Sequence, residues 1–145
     1  MDTNLLRLEH IRIASMADDL AAMVDQPRLK DPARLGAYLE EFGRTLTAHL
    51  AREDWAVYPC LLTDKRPGVR ALAGKLLDDA LAFTTAFRCY CRDWTTESII
   101  ADWPGFREAT LLILAQLRLR VEVEDRDLYP LVAFAEPAPP LRHAG

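Results

Sequence analysis

Residues 49–59 read HLAREDWAVYP, and this stretch decides the fold because it sets a histidine and a carboxylate where a helix should be apolar. Upstream on the same helix the apolar positions are Leu39, Phe42 and Leu46. Continuing their 3,4 alternation lands on His49, Glu53 and Ala56, so both polar groups fall on the core seam. A carboxylate buried without a partner costs several kcal/mol, on the order of a whole domain's stability. A metal ion is the first candidate for compensating it, because imidazole and carboxylate one turn apart present two ligands on one face.

Working outward, the chain reads as helical throughout, with a period near 3.6 in every long segment and no run of period 2. A first helix is expected from Leu5 to Val24, with Leu6, His10, Ile13, Ala17, Leu20 and Val24 along one seam. Asp31 and Pro32 form an N-cap and first-turn pair for the second helix, which should run to about Tyr58 and kink or end at Pro59. A third helix is expected from Val69 to Asp93 on the seam Leu72, Leu76, Ala80, Phe83, Phe87 and Tyr90. The segment from Trp94 to Trp103 reads as a connector with one short turn at Ser98 to Ala101. Pro104 opens a fourth helix to about Tyr129 through Leu114, Leu117, Val121, Glu124 and Leu128, which puts another carboxylate on a seam.

Four amphipathic helices joined by short connectors imply an all-α, antiparallel up-down-up-down four-helix bundle over residues 1–135, followed by a proline-rich tail, 136–145, in which His143 is idle. At 145 residues the chain is one domain's worth. Its net charge of −4, with both signs mixed along the chain, offers no basic face for nucleic acid and no polybasic membrane patch. No run is apolar and long enough to span a bilayer and no secretory leader is read, so a cytoplasmic protein is the expectation. Cys60, Cys89 and Cys91 are odd in number and read as reduced thiols. A homodimer is compatible with the sequence, and no protein partner is indicated.

The chain also repeats itself. His49, Glu53, Asp54, Tyr58 and Pro59 recur, with identical internal spacing, as Arg120, Glu124, Asp125, Tyr129 and Pro130. Leu6, Glu9, His10 and Ile13 recur as Leu76, Asp79, Ala80 and Phe83. The two helical hairpins therefore read as pseudo-symmetric halves, and in the second half both histidines are replaced.

The pieces LEHIRI around His10, AHLAREDWAVYP around His49 and VEVEDRDLYP around Glu124 resemble the hemerythrin-like, HHE cation-binding domain over residues 5 to 133. The resemblance implies a four-helix bundle holding two bridged irons, used in oxygen binding or in sensing oxygen, iron or nitric oxide. It assigns His10 and His49 to one iron, and makes Glu53 and Glu124 the carboxylates that bridge both. The histidine positions of the other iron fall on Ala80 and Arg120. The surviving half offers His10, His49, Glu53 and Glu124 to one metal ion: iron by resemblance, zinc or manganese by ligand type.

Arg120, one turn before Glu124, is expected to reach both carboxylates and to replace the second metal's charge. On this reading the protein binds at most one metal and serves metal or small-molecule sensing or binding; a reversible diiron oxygen carrier is disfavoured. The alternative is a metal-free regulatory or interaction bundle in which Arg120 closes an ion-pair network with Glu53 and Glu124. Histidine phosphotransfer would need an exposed histidine, and hydrolysis a nucleophile–base arrangement that the sequence does not contain, so an enzyme is not the expectation. Asp79 is expected at a solvated rim, Asp125 off the seam, and Tyr58 and Tyr129 packed at the bundle end, with hydrogen-bond donation into the site as their alternative role.

Overall fold

A computed structural model describes residues 2–133, and the expected tail at 136–145, His143 included, lies outside the described residues. Four long helices carry the fold: α1 (Asn4–Val24), α2 (Pro32–Arg52), α4 (Pro67–Asp93) and α6 (Trp103–Val123). Three short ones accompany them: α3 (Tyr58–Leu62), α5 (Thr96–Ala101) and α7 (Tyr129–Ala133). There is no strand among the described residues. The starts are where cap chemistry puts them. Asp31 accepts from the Arg34 amide ahead of Pro32, Thr95 from that of Ser98, and Asp102 from that of Gly105.

The two Tyr-Pro segments depart from expectation. Neither proline ends its helix: a single π turn, Glu53–Val57 in one half and Glu124–Leu128 in the other, precedes each Tyr-Pro, and helix continues as α3 and α7. Proline has no amide to donate and its ring would strike the carbonyl four residues back. Widening the turn immediately upstream moves that carbonyl aside, and the Tyr58 and Tyr129 amides bond five residues back, to Glu53 and Glu124. The extra residue also shifts the seam. Val57, fully buried, takes the place expected for Ala56, which is half-buried. On α4, Leu72 proves exposed, and Ala73, one residue on, is the buried member of the seam.

α1 packs on α2 and α6, α4 packs on α6 and α3, and α5 closes against α6 and α2. The interior falls into two apolar clusters. One gathers Ile13, Leu20, Phe42, Leu46, Phe87 and Leu117, among others. The second lies at the Tyr-Pro end and includes Leu6, Val57, Leu61, Leu76, Leu128 and Tyr129. His10 falls between Leu6 and Ile13 on α1, His49 between Leu46 and Val57, and Glu124 between Leu117 and Leu128, so a polar layer separates the two clusters. The three cysteines carry thiols and form no disulfide, and Trp55 is 85% exposed while Trp103 is buried. No helix among the described residues is long and apolar enough to cross a membrane.

Candidate metal centre

His10, His49, Glu53 and Glu124 meet in that polar layer. All four are buried, with 1% to 4% of their surface exposed, and one ligand atom from each lies within 4.8 Å of the others. His10 Nε2 is 2.9 Å from His49 Nε2 and 3.0 Å from Glu124 Oε1. His49 Nε2 is 3.1 Å from Glu53 Oε1 and 3.9 Å from Glu124 Oε1. Atoms that share one first-row ion, at bonds of roughly 2.1 Å, lie roughly 3.0–3.5 Å apart, so the three shorter edges are close to the length of a single coordination sphere while the 3.9 Å edge is longer.

The donor chemistry makes the same point. His10 Nδ1 faces Asp125 Oδ1 at 2.8 Å, and His49 Nδ1 faces Glu9 Oε1 at 3.0 Å. An ionised carboxylate only accepts, so each Nδ1 carries a proton and donates it. In the neutral rings both Nε2 atoms are then bare lone pairs, directed at each other and at two carboxylates. Such a cluster calls for a cation at its centre, either a metal ion or a proton. Tyr129 adds the one neutral donor, its hydroxyl 3.0 Å from His10 Nε2 and donating to Glu53 Oε2 at 3.2 Å. Burial, with Glu53 and Glu124 nearby, pushes the Tyr129 hydroxyl up and keeps it protonated.

The metal-free cluster is electrostatically tense. Burial raises Glu53, and Glu124 beside it adds to the rise against the pull of His49. Burial also presses Glu124 upward, but hydrogen bonds from His10 and His49 and the charge of Arg120 outweigh it and hold this carboxylate down. For His49, burial favours the neutral ring, yet Glu124, Glu53 and Glu9 win and push it up to about 10. The sign follows from that direction. Charged His49 stabilises the metal-free fold fully below its ordinary value of about 6.5 and loses that contribution as pH rises toward about 10. A metal must displace the same proton. Its apparent affinity is therefore expected to tighten by up to about tenfold per pH unit from pH 6 to 9, read by chelator competition; a flat profile would remove the proton–metal competition.

Arg120 reaches less than the sequence suggests. It pairs with Glu124 at 3.4 Å and donates to the Leu76 carbonyl at 3.4 Å, but its expected bond to Glu53 is not made, because Glu53 is taken by His49 and Tyr129. Ala80 is buried and, with Phe83, Leu117 and Arg120, lines a void of about 10 Å³ beside the ligands, room for about one water.

Asp125 and Glu9 are the residues that sequence reasoning passed over. Asp125 does not point away: it holds His10, with Arg7 3.6 Å behind it. Glu9 is 14% exposed at its side chain and joins His49 to Arg52. The carboxylate directly beside a seam residue in LEH and in VED was the available signal. Tyr129 lies within the site rather than merely at the bundle end, whereas Tyr58 donates to the Leu76 carbonyl at 3.5 Å. Asp79 is exposed, as expected.

An all-helical bundle with two buried histidines and two buried carboxylates between its two apolar clusters defines a class: helical proteins whose interior holds a His/Glu cluster able to take a metal ion. The family model of the hemerythrin HHE cation-binding domain matches residues 1–132, and the chain belongs to that family. No curated protein and no solved structure gives a match.

Proposed function

We propose that this protein binds one divalent metal ion through His10, His49, Glu53 and Glu124 and uses it to bind or sense a small molecule. The observation that carries the reading is the convergence of four buried ligand atoms within 4.8 Å, two of them imidazole nitrogens 2.9 Å apart. The family match supports a cation; we take iron first, as the resemblance implies, with zinc and manganese allowed by the ligands. A bound divalent metal supplies a Lewis-acidic position that a small ligand can occupy. The residues around it do the rest: Tyr129 offers a hydroxyl donor, Arg120 a fixed positive charge, and Ala80 and Phe83 a dry wall that limits the ligand to a few atoms.

In this reading Arg120 stands for the second metal of a two-metal site. It neutralises one of the two negative charges that Glu53 and Glu124 bring, and the histidine positions on its side of the repeat are lost together. We also take the four long helices as an up-down-up-down bundle. Support comes from the pairing of chain ends: His10, early in α1, meets Glu124 after α6, while Arg107, early in α6, donates to the Val24 carbonyl at the end of α1.

One observation favours a second reading. Every buried side-chain polar atom among the described residues already has a partner, so a protonated, metal-free network is also a complete solution for a regulatory bundle. Metal analysis separates the two. Protein purified from iron-replete cells, or loaded anaerobically with ferrous iron and desalted, is expected to hold close to one metal per chain; none points to the metal-free bundle, and two would exclude the role given to Arg120.

A further inference from the structure

We propose that Glu9 and Asp125, each held by a surface arginine, are the positioning residues of the centre: they lock both histidines in the tautomer whose Nε2 lone pair faces inward. The proposal rests on the metal-binding reading above and concerns residues outside the four ligands.

The two arms are built alike from different helices. His49 Nδ1 donates to Glu9 Oε1 at 3.0 Å, and the other oxygen of Glu9 accepts from Arg52 Nε at 2.6 Å. His10 Nδ1 donates to Asp125 Oδ1 at 2.8 Å. Arg7 lies 3.6 Å from that oxygen, donates to the Asp125 backbone carbonyl at 3.3 Å, and sits 5.4 Å over the Tyr129 ring. Each histidine is thus gripped at the nitrogen that faces away from the cluster. A neutral imidazole carries one ring proton, so fixing it on Nδ1 empties Nε2. Without the carboxylates, either nitrogen could hold the proton, and only one of the two tautomers can ligate inward.

Arg52 and Arg7 pair with Glu9 and Asp125, so the unpaired negative charge of the centre is concentrated on Glu53 and Glu124, where the metal would sit. The arms differ in strength. Glu9 shares its two oxygens between His49 and Arg52 and is 14% exposed at its side chain, whereas Asp125 is 37% exposed and its arginine is more distant. The Glu9 arm is therefore the stiffer, and its loss should cost more.

The test uses the full chain and zinc, which is redox-silent, with the dissociation constant measured by competition with a chromophoric chelator. Glu9→Gln is expected to weaken zinc about 10- to 100-fold, and Asp125→Asn by less, because a side-chain amide can donate to the ring and so favour the wrong tautomer. Arg52→Gln keeps the acceptor and should cost less than Glu9→Gln. Long-range ¹H–¹⁵N spectra supply a readout that packing alone would not move. His49 and His10 of the zinc-loaded wild type should show protonated Nδ1 and metal-bound Nε2. In metal-free Glu9→Gln, at a pH high enough for the ring to be neutral, His49 should gain a population of the Nε2–H tautomer. If wild type binds zinc and both carboxylate variants bind it equally tightly with unchanged spectra, the positioning role is overturned and the metal site stands. If wild type binds neither zinc nor iron, the metal reading falls, and this inference with it.

Discussion

His49→Ala is expected to abolish metal binding in a chain that still folds. At metal concentrations about a thousandfold above the dissociation constant, a single site stabilises the wild type by about 4 kcal/mol. For a domain of this size that is a rise in melting temperature of about 10 °C. The variant loses a ligand that stands 2.9 Å from His10 Nε2 and 3.1 Å from Glu53, at the centre of the cluster, so its shift should be near zero. The metal-free fold should survive, since Glu9 keeps Arg52 and Glu53 keeps Tyr129. The cost there is about 1–3 kcal/mol, the usual consequence of removing one partner from a buried hydrogen bond. Calorimetry with and without zinc reads both quantities. An undiminished metal-dependent shift in the variant would show that the ion binds elsewhere.

The second large effect comes from reversing the asymmetry between the halves. Ala80→His combined with Arg120→His is expected to raise the metal content from about one to about two ions per chain. The repeat provides the reason. In the first half Glu9 precedes His10 and holds His49, and in the second half Asp125 follows Glu124 and holds His10. The equivalent carboxylates, Asp79 before Ala80 and Asp54 after Glu53, are still present and exposed. They are placed by the repeat to serve the two restored histidines as Glu9 and Asp125 serve the existing ones. Removing Arg120 also frees Glu124 Oε2 from the guanidinium at 3.4 Å. Neither substitution alone completes the set. Metal analysis of both single variants and the double one checks the expectation, and a double variant still holding one ion would mean that more than two side chains separate this chain from a two-metal site.

Much of this was legible in one dimension because the helices are long and amphipathic. The seams through His10, His49, Glu53 and Glu124 could be counted directly, and all four residues are buried together. The repeat announced two equivalent hairpins, and the structure answers with two equivalent π turns before Tyr-Pro. Counting failed where a regular 3.6-residue helix was the wrong ruler. The π turn at Glu53–Val57 carries the seam to Val57 instead of Ala56, and helix continues through Pro59. It also failed for groups one residue off a seam. Asp125 and Glu9 were assigned away from the site or left unassigned, since a helix seen alone does not say how close its neighbours stand.

The sequence by itself determined that the chain is helical, that two histidines and two carboxylates fall on its interior seams, and that its second half carries Ala80 and Arg120 at the positions where the first half has His10 and His49. These follow from periodicity and spacing, which are properties of each helix taken separately. Only the tertiary structure decided which atoms of those residues face one another. It directed both Nε2 atoms inward and both Nδ1 atoms at carboxylates, brought Tyr129 into the cluster, and gave Arg120 to Glu124 and the Leu76 carbonyl rather than to Glu53. The physical reason is that hydrogen-bond direction and tautomer depend on distances of about 3 Å between different helices, and no spacing along one helix encodes them.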